Sequence, residues 1–288
     1  MMKTNEMKKR LMMVCLLAVC MIGALAVYAA PVYAAADGTT ARNAIKLKMK
    51  QKYTKTWTSE NYDKNCYFKF TTDKQGIVTV SIDKLGSGSI YEDYYYMYLY
   101  NAKGNLVWTC DTQEQIKNPL SKFIYKVGLK KGTYYLNVDP SFIFFDDEEV
   151  ESTIKLTFKK TDYSELEANN SKATATKLKL GKMYQGYYGE EIGSSSKIGY
   201  MDWYKFKLTK GKKYKIKISN YEELFSGTAL IDVIDAKGKT LSHYKYGYPL
   251  SENGEITFTA EKNGWYYIKL YNDSYGDQRS YKIGVYKK

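Results

Sequence analysis

Gly199-Tyr200-Met201-Asp202-Trp203-Tyr204-Lys205-Phe206-Lys207-Leu208, continuing through Thr209-Lys210-Gly211 into Lys212-Lys213-Tyr214-Lys215-Ile216-Lys217-Ile218, alternates apolar and charged residues on both sides of a lysine-glycine turn. Successive side chains of a strand point to opposite faces, so Tyr204, Phe206 and Leu208 share one face while Lys205 and Lys207 share the other. The pattern predicts a β-hairpin with an apolar face and a lysine face. The same hairpin stands earlier in the chain. Cys66-Tyr67-Phe68-Lys69-Phe70, Asp73-Lys74-Gln75-Gly76 and Val78-Thr79-Val80-Ser81-Ile82 align with it without a gap when Cys66 is set against Asp202, an offset of 136 residues.

Other segments repeat in the same order. Asn101-Ala102-Lys103-Gly104 returns as Asp235-Ala236-Lys237-Gly238 at an offset of 134, and Lys131-Gly132-Thr133-Tyr134-Tyr135-Leu136 returns as Asn263-Gly264-Trp265-Tyr266-Tyr267-Ile268 at 132. Small loop insertions account for the drift. A last alternating strand closes each copy, Ile154-Lys155-Leu156-Thr157-Phe158 in one and Tyr281-Lys282-Ile283-Gly284-Val285 in the other. No segment sustains a helical period. Many short strands, glycine turns, 31 tyrosines and only 4 prolines predict an all-β protein of two tandem antiparallel β-sandwiches. The expected division is an export segment over 1–36, a first sandwich over 37–160 and a second over 161–288.

The export segment has a basic start (Lys3, Lys8, Lys9 and Arg10 against Glu6), an apolar run from Leu11 to about Ala30, and small-residue sites at Val32-Tyr33-Ala34 and Ala34-Ala35-Ala36. The run is also long enough to anchor the chain in a bilayer, so cleaved signal and retained anchor are both open. The segment takes with it four of the 44 basic residues and one of the 31 acids, leaving 40 against 30, a net charge of +10. That charge lies on strands, alternating with apolar residues. It makes a solvated sheet face and favours anionic polymers at the cell surface; for an exported chain without a nucleic-acid motif, nucleic acid is not the expected partner.

Cys15 and Cys20 fall in the export segment, leaving Cys66 and Cys110, both at strand ends of the first copy. Two cysteines in an exported chain suggest one disulfide, with two buried thiols as the alternative. His243 is the only histidine, which excludes multi-histidine zinc sites. No Gly-x-Ser-x-Gly elbow is present, and no acid or nucleophile pattern surrounds His243 in the sequence, so no catalytic residue is assigned.

Aromatic placement is the clearest binding signal. In Tyr94-Tyr95-Tyr96-Met97-Tyr98-Leu99-Tyr100, Met97 and Leu99 share a face with Tyr95, which sets Tyr94, Tyr96, Tyr98 and Tyr100 in a row on the other. With Tyr266, Ile268 and Leu270 in the core, Trp265 and Tyr267 face outward, as does Tyr135 in the first copy. Such rings suit a protein or sugar ligand. Phe142-Ile143-Phe144-Phe145 before Asp146-Asp147-Glu148-Glu149 reads as an edge strand running into a solvated turn, with a partner-binding loop as the alternative.

Glu165-Leu166-Glu167-Ala168-Asn169-Asn170-Ser171, Met201-Asp202-Trp203-Tyr204-Lys205-Phe206, Asp235-Ala236-Lys237-Gly238 and Gly264-Trp265-Tyr266-Tyr267-Ile268, in that order, resemble the bacterial pre-peptidase C-terminal domain, a family that includes the collagen-binding domains of clostridial collagenases. The likeness covers 161–288 well and 37–160 in part. It implies a jelly-roll-like sandwich acting as a non-catalytic, secreted accessory module that binds matrix protein or polysaccharide, with a structural envelope protein as the alternative. It also implies calcium held by Glu165, Glu167, Asn169, Asn170 and Asp202, since Ca²⁺ takes six to eight oxygen ligands. A further family aspartate is Gly199 in this chain, and in the first copy Cys66 replaces Asp202, so calcium is expected in the second copy only.

Overall fold

A computed structural model describes residues 37–58, 61, 64–85, 94–111, 122–141, 149–188, 201–219, 229–246, 254–272 and 279–288. The expected export segment, the Phe142–Phe145 stretch and Gly199 lie outside them. Among the described residues there is no helix, and so none long and apolar enough to cross a membrane.

The first half contributes β1 (Ile45–Lys46), β2 (Lys52–Thr58), β3 (Cys66–Thr72), β4 (Gly76–Leu85), β5 (Tyr94–Asn101), β6 (Leu106–Asp111), β7 (Lys122–Leu129), β8 (Gly132–Ser141) and β9 (Glu149–Lys160). They form a five-stranded sheet, β1-β3-β8-β5-β6, and a four-stranded sheet, β2-β9-β4-β7. The second half contributes β10 (Thr176–Lys177), β11 (Met183–Tyr188), β12 (Met201–Leu208), β13 (Lys213–Ser219), β14 (Ala229–Asp235), β15 (Thr240–Tyr246), β16 (Gly254–Thr259), β17 (Gly264–Asn272) and β18 (Arg279–Lys287). Its sheets, β10-β12-β17-β14-β15 and β11-β18-β13-β16, have the same strand order. The register repeats too: Phe68 lies opposite Leu136 as Tyr204 lies opposite Ile268, and Met97 opposite Val138 as Ile231 lies opposite Leu270.

Alternation builds the core. In β3 the inward residues are Cys66, Phe68 and Phe70, and in β12 they are Asp202, Tyr204, Phe206 and Leu208, all buried. They meet Val78, Val80 and Ile82 of the opposing sheet in the first half, and Tyr214, Ile216 and Ile218 in the second. The two sheets of each half thus share one apolar layer, as in a β-sandwich. The strands are antiparallel except at the lead-ins, where β1 pairs with β3 and β10 with β12 in parallel. A two-residue parallel strand needs only the chain's entry to run beside a central strand, which alternation does not reveal.

The expected disulfide does not form: Cys66 and Cys110 are buried thiols. The register gives the reason. Cys66 lies opposite Val138, Val138 opposite Met97, and Met97 opposite Cys110, so two strands stand between the sulfurs. Three strand spacings amount to about 14 Å, against a bridging limit of about 7 Å between Cα atoms. Burial pushes the Cys66 thiol up to about 11, which keeps it an unreactive thiol at neutral pH. Dithiothreitol is accordingly expected to leave the thermal unfolding midpoint unchanged, and a midpoint lowered by reduction would put the two sulfurs in a bond.

Candidate functional site

The segment between the halves, residues 161–170, is pinned alternately to each. Gln185 N donates to Tyr163 O and Glu165 N to Gln185 O, both at 2.9 Å, tying it to β11. Glu167 N donates to Gly128 O of β7 in the first half, at 2.9 Å, and Trp203 N to Asn169 O at 2.8 Å. Gly128 is required here, because a Cβ at that position would stand 2.1 Å from Glu165 O. The Lys126 ammonium lies 5.9 Å from the centre of the Tyr187 ring across the same joint.

These bonds turn Glu165 and Glu167 inward against Asp202 at the leading end of β12. One carboxylate oxygen from each of the three lies within 4.8 Å of the others. Glu165, Asn169 and Asp202 are buried and Glu167 is half-buried. Asn169, expected as a ligand, joins them: with its amide nitrogen turned inward it donates to Glu167 Oε2 at 3.1 Å and to Asp202 Oδ1 at 3.3 Å. With its oxygen turned inward, it adds a fourth oxygen-bearing residue to the cluster, the orientation a cation selects. Asn170 is half-buried one position on and makes no hydrogen bond into the cluster among the described residues.

Two tyrosines complete the site. Tyr204 Oη donates to Glu165 Oε2 at 3.0 Å, Tyr281 Oη donates to Asp202 Oδ2, and the two hydroxyls touch each other. Tyr187 N donates to Glu165 Oε1. Gly186 leaves room for the Tyr281 ring, since a Cβ there would stand 2.2 Å from it. Neither tyrosine is assigned to the site by the sequence pattern, which reads both as core. Comparing the two halves in register finds them. Where the second half has Asp202, Tyr204 and Tyr281, the first has Cys66, Phe68 and Ser152, so three buried positions gain an oxygen or a longer one.

The electrostatics follow from burial. At this separation two full negative charges repel by about 3 kcal/mol at an effective protein dielectric, and none of the three carboxylates pairs with a lysine or arginine among the described residues. Burial, and then the charge on Asp202, push Glu165 and Glu167 well above the usual carboxylate range. Burial raises Asp202 to about 7, opposed by the hydrogen bonds from Tyr281 and Asn169. Proton counting agrees: two phenolic hydrogens serve four contacts among Tyr204, Tyr281, Glu165 and Asp202, so without a cation carboxyl protons make up the difference. The donor set is all oxygen, partly acidic and mostly buried, which fits a hard divalent cation.

The outward aromatics lie on the outer faces of the five-stranded sheets. Tyr96, Tyr98, Tyr100 and Tyr135 are half-buried there, while the Tyr94 side chain is outside the described residues. On the second half, Trp265 and Tyr267 are half-buried and capped by lysines. Lys207 and Lys177 lie 5.1 and 5.8 Å from the Trp265 ring centre, and Lys172 lies 4.7 Å from that of Tyr267. Lys269 stands 4.1 Å from Tyr271, and Trp203 meets Tyr267 edge-on at 6.5 Å. His243 has an acid partner that its sequence surroundings do not show: its Nδ1 lies 2.6 Å from Asp232 Oδ1 across β14 and β15.

Residues 200–272 match the family model of the bacterial pre-peptidase C-terminal domain. The match begins just ahead of β12 and takes in Asp202, Tyr204, Trp265 and Tyr267. Among solved structures, the pre-peptidase C-terminal domain of collagenase from Bacillus anthracis is 22% identical, covering 38% of this chain and 93% of that one, with a TM-score of 0.29. The CUB1-EGF-CUB2 domain of human MASP-1/3 is 8% identical, covering 81% and 99%, with a TM-score of 0.23. Tripeptidyl peptidase 2 is 10% identical, covering 84% and 24%, with a TM-score of 0.28. No curated protein matches the chain.

Two outcomes test the site. Gly128→Ala drives a methyl into Glu165 O, and the resulting backbone shift is expected to cost about 1–3 kcal/mol in urea unfolding; an unchanged midpoint contradicts the joint. A carboxyl raised in the folded state holds its proton more tightly there than in the unfolded chain. Its stability contribution is therefore best below the usual value near 4 and is lost as pH climbs through about 7, the position of Asp202. Chelator-treated protein should melt at a lower temperature at pH 8 than at pH 5, and Asp202→Asn should flatten that difference.

Proposed function

We propose that this is an exported, non-catalytic binding protein that attaches to an extracellular polymer or surface, a collagen-like protein or a polysaccharide, through the outer faces of its five-stranded sheets. The observation that carries this reading is the lysine-capped aromatic surface of the second half. Trp265, Tyr267 and Tyr271 each present a ring with an ammonium within 6 Å. Rings supply contact area at small entropic cost, and the lysines draw anionic groups to it. The pre-peptidase C-terminal match over 200–272 supports a module of the kind carried by bacterial peptidases and other exported proteins, outside their catalytic domains.

Calcium enters this reading as a structural ligand of Glu165, Glu167, Asn169 and Asp202. When bound, it supplies positive charge to a buried acidic cluster. The residues themselves fix the segment between the halves, Glu167 through its backbone bond to Gly128 and Glu165 through its bonds to Gln185 and Tyr187.

The test is retention of the protein on collagen, peptidoglycan and insoluble glycans, with chelator and with calcium. Saturable binding to at least one of them is expected, with Trp265→Ala and Tyr267→Ala each weakening it about tenfold, the effect of removing a central interface aromatic. Absence of saturable retention on every matrix, under both conditions, would favour a structural protein of the envelope with no specific ligand.

A further inference from the structure

The two halves differ at one place on these outer faces. Ile45 lies opposite Phe68 and Thr176 opposite Tyr204, so the lead-ins are in register and Ala41-Arg42 of the first half corresponds to Lys172-Ala173 of the second. In the second half Lys172 lies along the surface. Its ammonium is 4.7 Å from the Tyr267 ring centre and donates to Ala236 O at 2.8 Å. The counterparts of that ring and carbonyl in the first half are Tyr135 and Ala102. With alanine at position 41 the described residues place no counterpart of Lys172 over them, and they line an open cavity of about 500 Å³ together with Ala41, Arg42, Tyr67 and Tyr100.

Other differences give the cavity its chemistry. Tyr67 and Tyr100 stand where the second half has Trp203 and Ile234, so two phenol hydroxyls replace an indole and an aliphatic chain. The two phenols are close enough that the charge on Tyr67 adds to burial in raising Tyr100. Arg42 is exposed at the rim, and Lys69 lies 5.4 Å from the centre of the Tyr135 ring. Among the described residues no aspartate or glutamate lines the cavity. A floor of tyrosine rings suits the C–H face of a sugar, phenol hydroxyls can donate to or accept from its hydroxyls, the Ala102 carbonyl can accept from them, and a guanidinium suits a carboxylate in bidentate fashion. A cationic guest is disfavoured by Arg42 and Lys69. The volume suits one or two sugar rings.

We infer that this cavity is a binding site for an acidic saccharide, a uronic-acid unit of a polymer. The inference rests on the reading of the chain as a polymer-binding protein and assigns one ligand class to one site.

Calorimetric titration of the whole protein with hexagalacturonate, cellohexaose and hexa-aspartate at low salt tests it. Saturable binding of hexagalacturonate is expected, at least tenfold tighter than that of the other two. Tyr135→Ala and Arg42→Ala should each weaken it about tenfold. Ala41→Lys is the sharper variant: it adds a positive charge at an exposed position and rebuilds the lysine cover of the second half. Simple attraction between charges makes Ala41→Lys bind the acid more tightly, whereas a filled cavity makes it bind at least tenfold more weakly. Undiminished binding by Ala41→Lys, equal binding of cellohexaose or hexa-aspartate, or no binding of hexagalacturonate each overturns the inference. No binding of hexagalacturonate together with retention on another matrix through Trp265 and Tyr267 would overturn the inference while leaving the broader binding function standing.

Discussion

Three carboxylates that face one another, two of them buried and the third half-buried, favour neutralisation, and most of what is particular to this chain gathers around that constraint. Glu165, Glu167 and Asp202 have no lysine or arginine partner among the described residues, so protons or a cation must supply the compensation. Tyr204 and Tyr281 reach the cluster from the facing sheets of the second half, and Gly128 holds it from the first. The cluster therefore stands at the junction of three sheets. Its protonation or occupancy bears on how firmly the segment between the halves is held, which is a matter of architecture as much as of binding.

The fold was largely legible in the sequence. Alternation in Tyr204-Lys205-Phe206-Lys207-Leu208 and its earlier counterpart has one structural meaning when one face is buried, because a slip of one residue would expose every apolar side chain. The all-β class, the inward set of each hairpin strand and the outward placement of Tyr135, Trp265 and Tyr267 follow from that. The parallel lead-in strands and the separation of Cys66 from Cys110 depend on strand order in the sheet. Strand order is set by long-range pairing and leaves no periodic trace. A pair of cysteines at strand ends looks like a disulfide until the order places β8 and β5 between them.

The candidate site was legible in part, and the reason is chemical. Glu165, Glu167, Asn169 and Asp202 stand out as oxygen donors of a familiar pattern, and they do converge. Tyr204 and Tyr281 read as core residues because a buried tyrosine and a buried phenylalanine have the same alternation. The hydroxyl matters only when its partner is known. His243 and Asp232 illustrate the same limit, since their pairing across β14 and β15 spans a turn whose register alone makes them neighbours. Residue-by-residue comparison of the halves recovers much of this. Equal register with unequal chemistry marks Cys66 against Asp202, Phe68 against Tyr204, and Ala41-Arg42 against Lys172-Ala173. Halves of equal strand order thus differ in chemistry: the second has a buried acidic cluster and a face of lysine-capped rings, the first a Cys66 and Phe68 core and a tyrosine-lined cavity.

The most direct measurement of the central claim, that the acidic cluster is a cation site, is a calorimetric titration of calcium into chelator-treated protein at pH 7.5, run beside Asp202→Ala. The account expects saturable binding of one ion per chain, a higher unfolding midpoint with calcium, and loss of both in the variant. Absence of heat and of any midpoint change in the unsubstituted protein would contradict it, and would leave the three carboxylates neutralised by protons alone.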